Sequence, residues 1–345
     1  MFVLQVALVK GRGGVATAVA HYERMFRAVG VRSALLFRGP SADALRAEGA
    51  DIIEPPRLLS SPLAAALPVL GDLGARIRAR AAGAPIVGLV HSDLALAAIR
   101  SLLPDAVTIT PCHTDKTKHK RAADLVLTLN RAQQHLVEAA LPGRRVKEFG
   151  NPFAPPPDVR GPSATSTGRL RVNFLGRFEA FKNPLTLVRA FIAARLPDAA
   201  ELRVIGAGPL EGELRQAAAA SARAISFSGW LDQPFAHFDR DDLLVLPSNW
   251  ESYSYVAREA LHYGVPVIAS DISVHRDALG EGAFGALYPV ADVGALALAL
   301  ESAGRDLESL RTKAAHGGEA LRVRYGAAPF WAALSAEIAD IRSRL

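Results

Sequence analysis

Apolar and polar positions along the chain follow two alternating patterns, and together they predict a series of strands and helices. Short runs that are apolar throughout predict strands buried on both faces of a parallel sheet, whereas apolar residues three and four apart predict helices that cover the sheet. Residues 243–246, which end at Pro247, are typical of such a buried strand. The pattern therefore predicts an α/β protein built on parallel sheets.

The first half of the chain carries this alternation up to a segment rich in proline, glycine and serine. The predicted strands are residues 2–9, 33–37, 51–53, 86–91, 106–110, 124–129 and 146–149. The predicted helices are residues 14–29, 41–48, 61–82, 93–103 and 131–140. The segment from Asn151 to Gly168 holds too many prolines and glycines for a regular element, so we expect a domain boundary there.

The second half restarts the same alternation. Its predicted strands are residues 171–175, 202–205, 225–228, 242–246 and 266–269. Its predicted helices are residues 184–194, 210–222, 254–263 and 292–303, and Phe330 begins a further helical segment. We predict domains over residues 1–155 and 156–327, followed by a C-terminal helix over residues 328–345.

Length and composition fit this two-domain prediction. At 345 residues, half of them apolar, the chain can form two domains that each bury a core. The single Cys112 excludes an internal disulfide framework and fits a reducing compartment. Neither a signal peptide nor an apolar segment long enough to span a bilayer is recognisable, so we expect a cytoplasmic protein.

Charge is distributed unevenly between the two halves. Residues 1–160 carry 21 Lys and Arg against 13 Asp and Glu, a net +8, whereas the remainder carries 19 against 21, a net −2. A basic first half favours an anionic partner, such as a lipid headgroup or a phosphorylated acceptor, although surface charge for solubility explains it equally well. No basic motif with interleaved aromatic residues is present, so we expect no nucleic acid partner.

The most informative stretch joins two predicted strands near the C-terminus. Glu251 lies in the loop at the carboxyl end of strand 242–246, and Glu259 lies about two turns into the following helix. Open α/β sheets bind their ligands at this edge. Carboxylates accept hydrogen bonds from hydroxyls, and a helix N-terminus attracts phosphate. The stretch therefore predicts a site for a ligand that carries both hydroxyls and an anionic group.

This stretch resembles the E-x7-E signature of retaining, nucleotide-sugar-dependent glycosyltransferases of the GT-B fold, the large family 4 or glycosyl transferases group 1. The resemblance implies two doubly wound Rossmann-like domains facing each other across a cleft. It implies an acceptor-binding N-terminal domain, a nucleotide-sugar-binding C-terminal domain and a final helix that crosses back to the first domain. In that family the glutamate matching Glu251 contacts the donor sugar, and the one matching Glu259 binds the ribose hydroxyls. Two solvated glutamates are the alternative.

The loop after Glu251 departs from the family pattern. The family usually has a glycine here, whose bare backbone admits phosphate, whereas this chain has bulkier residues. We expect the loop still to contact the donor, in an altered position or with altered selectivity. The residues predicted there are Ser252, Tyr253, Ser254 and Tyr255.

Two basic residues follow strand 171–175 at the spacing that the family has. Arg177 follows Gly176, and Lys182 lies five residues beyond Arg177. Two fixed cations suit a nucleoside diphosphate, because they neutralise its charge and the charge that grows on the leaving group. A pair of ordinary surface cations is the alternative. We expect no metal and no other cofactor, because the chain has no Asp-x-Asp and no His or Cys cluster with metal-ligand spacing.

Two glycine pairs follow predicted strands. Gly206 and Gly208 resemble the Gly-x-Gly-Pro turn that lies near the nucleotide in this family, and a structural strand-to-helix turn explains them almost as well. Pro209 and the late Gly212 make them a poor dinucleotide fingerprint, which argues against an NAD-dependent oxidoreductase. The other pair, Gly13 and Gly14, resembles the family's Gly-Gly pair facing the donor phosphate, with a turn that binds no ligand as the alternative.

Two histidines follow neighbouring predicted strands. His113 matches the family's Thr-x-His segment, which contacts the donor sugar, and His91 occupies the corresponding place one strand earlier. Either histidine could instead be a partly buried packing residue. The basic run at residues 115–121 is expected to be a solvated loop, although an anionic acceptor could use it.

The sequence therefore predicts a retaining glycosyltransferase that moves a sugar from a nucleotide-diphosphate donor to a hydroxyl acceptor. The expected pathways are lipid-linked glycan, lipopolysaccharide, glycolipid or envelope polysaccharide synthesis. The predicted catalytic residues are His113, Arg177, Lys182 and Glu251. A catalytically silent sugar-nucleotide or lipid-headgroup binding protein of the same fold and an inverting GT-B transferase are the alternatives.

An apolar segment in the first half bears on the acceptor. Residues 58–70 are apolar and are followed by Arg76, Arg78 and Arg80. Proteins lie on anionic bilayers through such combinations of apolar and basic residues. The segment predicts peripheral membrane association and a lipid-linked acceptor, and its packing into the core of the first domain is an equally good explanation.

Overall fold

The computed structural model describes residues 1–8, 13–56, 59, 69–156 and 160–344, and the chain forms two units. One unit comprises Met1–Pro155 and Arg324–Leu345, and the other comprises Pro156–Val323. The functions predicted for the two halves, acceptor binding and donor binding, stay predictions.

The first unit is built on a seven-stranded sheet in which every pairing between described strands is parallel. Its strands are β1 (Phe2–Val6), β2 (Arg32–Leu36), β3 (Ile52–Ile53), β4 (Ile86–Val90), β5 (Val107–Pro111), β6 (Leu125–Thr128) and β7 (Val146–Glu148). Its helices are α1 (Gly14–Ala28), α2 (Pro40–Ala47), α3 (Val69–Ala81), α4 (Leu96–Leu102), α5 (Arg131–Ala140) and the C-terminal α12 (Ala327–Arg342). The strand order is β3-β2-β1-β4-β5-β6-β7, so the direction of winding switches between β1 and β4.

The C-terminal helix α12 packs on α1 within the first unit. The ring of Phe330 lies 5.7 Å from that of Tyr22, and the ring of Trp331 lies 5.6 Å from that of Phe26, both in edge-to-face geometry. Such aromatic pairs add to the free energy gained by burying their apolar area. Arg145, which directly precedes β7, pairs with two carboxylates of α12.

The second unit is built on a six-stranded sheet whose described pairings are also all parallel. Its strands are β8 (Arg171–Leu175), β9 (Glu201–Ile205), β10 (Ala224–Gly229), β11 (Asp242–Leu246), β12 (Val267–Ser270) and β13 (Ala286–Tyr288). Its helices are α6 (Pro184–Ala193), α7 (Glu211–Ala219), α8 (Tyr255–His262), α9 (Ser273–Ala278), α10 (Val293–Arg305) and α11 (Leu307–Tyr325), in which the chain returns to the first unit. The order β10-β9-β8-β11-β12-β13 places the switch between β8 and β11.

One strand and two α-helices of the described chain were not predicted. The short β13 and α9 span three and six residues, which are too few to show a period. The 19-residue α11 was missed because Gly317 and Gly318 interrupt its apolar spacing. Most of residues 58–70 lie outside the described part of the chain, so neither alternative for that segment is decided there. Leu59 is described and lies in the core of the first unit. No helix in the described ranges has the length and apolar character that a bilayer crossing needs.

Candidate active site

The loops after β8 and β11 bring a cation and a carboxylate together in the second unit. These two strands are neighbours, and the winding of the sheet switches between them, which is where open α/β sheets bind ligands. Lys182 ends a 3-10 turn after β8, and Glu251 follows β11. The Lys182 ammonium pairs with Glu251 Oε1, and their side chains are only 18% and 9% exposed. Residues from two separate sequence motifs thus lie side by side.

Hydrogen bonds hold the loop that carries Glu251. Ser248 Oγ donates to Glu251 Oε1 at 2.9 Å, and Ser270 Oγ of β12 donates to the carbonyl of Ser248. The backbone N–H of Asn249 donates to the carbonyl of Phe181 at 2.8 Å, which ties the β11 loop to the β8 loop. The carboxylate is therefore fixed in position before any ligand binds.

A buried histidine lies within electrostatic range of the ion pair. His275 of α9 has Nδ1 2.9 Å from the carbonyl oxygen of Ser270, so Nδ1 carries the proton and donates it. Burial, with smaller contributions from Lys182 and Arg258, lowers the pKa of His275 to about 4, although Glu251 and the Ser270 carbonyl oppose the shift. Its Nε2 is buried and has no hydrogen-bond partner in the described part of the chain. His275 was not among the residues predicted from the sequence.

Arg177 lies beside an aromatic ring near the ion pair. Its guanidinium carbon is 5.5 Å from the centroid of the Phe181 ring, and Lys182 Nζ is 5.7 Å from the same centroid. Arg177 is 55% exposed and pairs with Glu179 at 3.1 Å. Exposed ion pairs contribute little free energy. The guanidinium can therefore leave Glu179 for an anionic ligand.

The loop at residues 252–255 adopts a backbone that glycine usually provides. Ser254 has φ 52° and ψ 70°, in the left-handed region, and precedes α8 without capping it through its side chain. Ser252 is half-buried, and Tyr255 begins the helix. Glu259 lies in the second turn of α8 and is half-buried. The serine loop thus keeps a glycine-type geometry at the N-terminus of α8.

A buried arginine supports this loop. Arg258 of α8 is 1% exposed, and its guanidinium carbon lies 3.8 Å from the centroid of the Tyr253 ring. The same side chain donates to the carbonyl of Tyr253 and pairs with Asp277 of α9 at 2.6 Å. The Tyr253 side chain is buried, with one face of its ring against Arg258, so we expect its backbone rather than its ring to contact a donor.

Gly206 and Gly208 lie where two loops touch through their backbones. A Cβ at Gly206, whose φ is +137°, would lie 1.9 Å from the carbonyl oxygen of Gly176. A Cβ at Gly208 would lie 2.7 Å from the backbone nitrogen of Phe178. Phe178 N–H donates to the carbonyl of Ala207 at 2.9 Å. The close approach of the β8 and β9 loops is a sufficient reason for both glycines, which favours the structural alternative.

In the first unit, the predicted glycine pair lies at the start of α1. Gly13 precedes the helix and Gly14 begins it, and both are exposed. The carbonyl of Gly13 accepts from the backbone N–H of Thr17 at 3.0 Å. Residues 9–12 of the same loop lie outside the described part of the chain.

The two histidines of the first unit contact each other. His91 follows β4, His113 follows β5, and His91 Nδ1 lies 2.9 Å from His113 Nε2. Burial holds the pKa of His91 well below its usual range. Burial, with the nearby Lys120, lowers the pKa of His113 to about 4. Both rings are therefore neutral at physiological pH.

The basic run after His113 is not wholly solvated, so that expectation was wrong for Lys120. This lysine is buried and pairs with Asp93 at 3.0 Å, because an ammonium removed from water needs a compensating charge. In the described part of the chain, no three His, Cys, Asp or Glu side chains are grouped so that they could hold a metal ion.

The segment that carries the Lys182–Glu251 pair matches a known family. Residues 169–306 match the glycosyl transferases group 1. A phosphatidyl-myo-inositol mannosyltransferase of Mycobacterium leprae is 31% identical over 172 residues, which are 48% of this chain and 44% of that protein. The chain thus matches less than half the length of the curated relatives it resembles.

Solved structures of other proteins share the fold of the chain. Anabaena Alr3699/HepE in complex with UDP and glucose has a TM-score of 0.74 and 16% identity, over 99% of this chain and 100% of that chain. The pneumococcal O-GlcNAc transferase GtfA in complex with UDP and GlcNAc has a TM-score of 0.75 and 13% identity, over 99% of both chains. These likenesses show the fold alone. The predicted GT-B fold and the resemblance to the group 1 glycosyltransferases are confirmed.

Proposed function

We propose that this chain is a retaining glycosyltransferase that transfers a sugar from a nucleoside diphosphate donor to a hydroxyl acceptor. The observation that carries the proposal is the Lys182–Glu251 pair at the switch point of the second sheet, inside the group 1 match. A cation beside a carboxylate suits a ligand that joins a diphosphate to a sugar. The ammonium binds phosphate oxygens, and the carboxylate accepts from hydroxyls.

The exposed guanidinium and the N-terminus of α8 supply further charge complementarity to the diphosphate. Arg177 has only a weak exposed partner to give up, and Ser254 leaves the first-turn N–H groups of α8 uncapped by its side chain. Uncapped helix N-termini bind anions. On this proposal, Arg177, Lys182 and α8 neutralise the diphosphate, and no metal is required.

In the proposed reaction the acceptor hydroxyl attacks the anomeric carbon from the face that the diphosphate leaves. The bond from the anomeric carbon to the diphosphate oxygen breaks as the bond to the acceptor oxygen forms. The hydroxyl proton passes to the departing diphosphate oxygen, and the anomeric configuration is retained. Such a reaction needs cations and positioning more than it needs a strong base. Glu251 would hold the sugar, and Glu259 would hold the ribose. For His113, the family resemblance supports a contact with the donor sugar.

The site assignment is tested by substituting the residues proposed to bind the diphosphate and the ribose. Lys182→Ala should abolish turnover, and Glu259→Ala should weaken nucleoside diphosphate binding by about 1–3 kcal/mol, the contribution of a charged hydrogen bond. Lys313→Ala and Glu213→Ala, which remove exposed charges elsewhere in the unit, are the matched controls. Donor hydrolysis across a panel of nucleotide sugars and calorimetric titration supply the measurements. Parent-like binding and turnover in both site variants would refute the assignment.

The stereochemistry of the product separates the proposal from its alternatives. NMR of the product should show the anomeric configuration of the donor, and Glu251→Ala should impair turnover more than binding of the bare nucleotide. An inverted product would support an inverting GT-B transferase. Donor binding without transfer or hydrolysis, for every nucleotide sugar and acceptor tried, would support the silent binding protein.

For the acceptor, we propose a lipid-linked molecule at an anionic membrane surface. The net +8 of residues 1–160 supports this proposal, as does the name of the M. leprae relative, which specifies a phosphatidyl-inositol lipid. The three predicted surface arginines differ in the structure. Arg78 donates to the carbonyl of Leu102 and Arg80 pairs with Asp51. Among the described residues, the one side-chain partner of Arg76 is Asp72, at a long 3.8 Å. Arg76 is therefore the residue to vary without disturbing the fold.

Vesicle co-sedimentation tests this proposal. The protein should bind anionic but not neutral vesicles, and binding should be lost at high salt. Arg76→Glu should weaken binding by at least about fivefold, since each basic residue near the surface contributes roughly 1 kcal/mol. Arg215→Glu in the second unit, also an exposed arginine four residues from its acidic partner, is the matched control. Indifference to lipid charge would point to a soluble acceptor.

A further inference from the structure

A continuous run of hydrogen bonds crosses the interior of the first unit and ends at His113. Glu23 Oε2 of α1 accepts from Gln5 Nε2 of β1 at 3.0 Å and from Ser33 Oγ of β2 at 2.9 Å. Gln5 Oε1 lies 3.2 Å from His91 Nε2, and His91 Nδ1 lies 2.9 Å from His113 Nε2. Gln5, Glu23 and His91 are at most 5% exposed. Solvent therefore competes little for these bonds.

The direction of these bonds follows from Glu23. A carboxylate only accepts, so the amide nitrogen of Gln5 faces Glu23 and its amide oxygen faces His91. His91 Nε2 must then donate, which leaves Nδ1 of the neutral ring as an acceptor. His113 Nε2 donates to that nitrogen. Burial raises the pKa of Glu23, but a carboxyl protonated at Oε1 would still accept at Oε2 and keep the same direction.

We propose that Glu23, Gln5 and His91 fix His113 in its Nε2–H tautomer, so that His113 Nδ1 is a hydrogen-bond acceptor for a hydroxyl of the ligand. His113 is half-buried, and within the described residues its ring makes no other hydrogen bond than the one to His91. The ligand end of this inference rests on the proposed function, which makes that hydroxyl part of a donor sugar. Glu23, Gln5 and His91 act as positioning residues.

The fixed tautomer has a chemical consequence for selectivity. If the chain of bonds ran the other way, His113 would present an N–H and would select a carbonyl or phosphate oxygen. With Nδ1 unprotonated, it selects a group that can donate. Through this chain of bonds, Glu23 on α1 determines whether His113, after β5, binds a hydrogen-bond donor or an acceptor of the ligand.

The tautomer can be measured directly on the full-length protein. Correlation spectra between ring nitrogens and carbon-bound protons distinguish protonated from unprotonated nitrogens in each histidine. At neutral pH, His91 and His113 should each show a protonated Nε2 and an unprotonated Nδ1. Signals are assigned with His91→Gln and His113→Gln, and the exposed His119 and His135 serve as internal references. A protonated Nδ1 on His113 would overturn the proposal.

A substitution inside the chain of bonds tests its cause. Gln5→Met keeps a similar length but breaks the link to His91, so His113 should show a mixture of tautomers. Ser33→Ala removes the other hydrogen bond to Glu23 and leaves the link intact, so His113 should stay Nε2–H. If Gln5→Met does not fold, Glu23→Gln supplies the same comparison. An amide at residue 23 can either donate to or accept from Gln5, so it no longer fixes the direction of the bonds that lead to His113. An unchanged His113 spectrum in the folded variant would refute the role of the chain.

Fluorinated donors test the ligand end, because fluorine replaces a hydroxyl without donating. Among donors with single hydroxyls replaced, one should bind the parent about fivefold more weakly, the effect of a neutral hydrogen bond. That difference should vanish in His113→Ala. If no position shows it, His113 does not accept from a sugar hydroxyl. If no nucleotide sugar binds the parent, the proposed function fails, while the spectra still decide the tautomer.

Discussion

Replacing Gly206 and Gly212 with alanine is expected to have opposite effects on the stability of the second unit. Gly206 directly follows β9, and an added Cβ there would lie 1.9 Å from the carbonyl oxygen of Gly176. Gly212 lies in the first turn of α7, and an added Cβ there would meet no atom within 4 Å. Gly206→Ala should therefore destabilise the second unit, and Gly212→Ala should not.

The expected magnitude follows from the contacts at Gly206. Real Cβ atoms essentially never come closer than 3.0 Å to another heavy atom, so the backbone of one loop must move by about an ångström. That movement disturbs the hydrogen bonds from Gly176 N to Ile205 O at 3.1 Å and from Gly206 N to Gly229 O at 2.8 Å. Each lost buried hydrogen bond costs about 1–3 kcal/mol, and the strained φ adds about 1–3 kcal/mol. We expect a loss of at least about 3 kcal/mol for Gly206→Ala.

Thermal and urea unfolding measure this difference. A loss of about 3 kcal/mol lowers the Tm of a domain of this size by roughly 6–12 °C. Gly212→Ala should leave the Tm unchanged or raise it slightly, because alanine has the higher helix propensity. If Gly206→Ala has the same Tm as Gly212→Ala but no longer binds donor, Gly206 is needed for ligand contact and the structural explanation is wrong.

Three further predictions concern charges. Asp277→Ala leaves the buried Arg258 without its carboxylate partner, so urea unfolding should show a loss of about 3 kcal/mol in the free energy of unfolding. The control Asp271→Ala breaks an exposed pair and should cost less than about 1 kcal/mol. Because the pKa of His275 is about 4 in the folded state, the unfolded state binds more protons between pH 4 and about 6.5, so stability falls as pH falls through that window, by roughly 3 kcal/mol in total. A pH series of urea melts should show a smaller slope in His275→Gln, and an equal slope would contradict this. Sugar transfer should persist in EDTA, because the proposed site neutralises the diphosphate with side chains; loss of transfer that added divalent metal restores would refute that point.

The sequence located both members of the central ion pair but not their contact. Lys182 and Glu251 were predicted from motifs that are 69 positions apart. Their contact depends on β8 and β11 being neighbours, and strand order cannot be obtained from the order of strands along the chain. Only the resemblance of the whole pattern to a known fold could predict that β8 and β11 are neighbours.

The buried chain of hydrogen bonds was missed, although its residues left a signal. Gln5 is the one polar residue in the apolar run of residues 2–9, and Glu23 lies on the buried face of α1. A polar residue at a core position requires a partner, so each position predicts a buried hydrogen bond without naming the other end. The glycines at 206 and 208 stayed ambiguous because close backbone approach and ligand contact demand the same residue.

The ion pair between Lys182 and Glu251 means that the unliganded site already satisfies its own charges. On the proposed function, a donor would have to separate two mostly buried partners before it could bind either, and that separation opposes binding. A donor that pairs with Lys182 would also release Glu251 to accept from the sugar. After transfer the pair could re-form, and Glu251 would then compete with the departing nucleotide for Lys182. We therefore expect the pair to lower donor affinity and to speed product release, a step that limits the turnover of many enzymes.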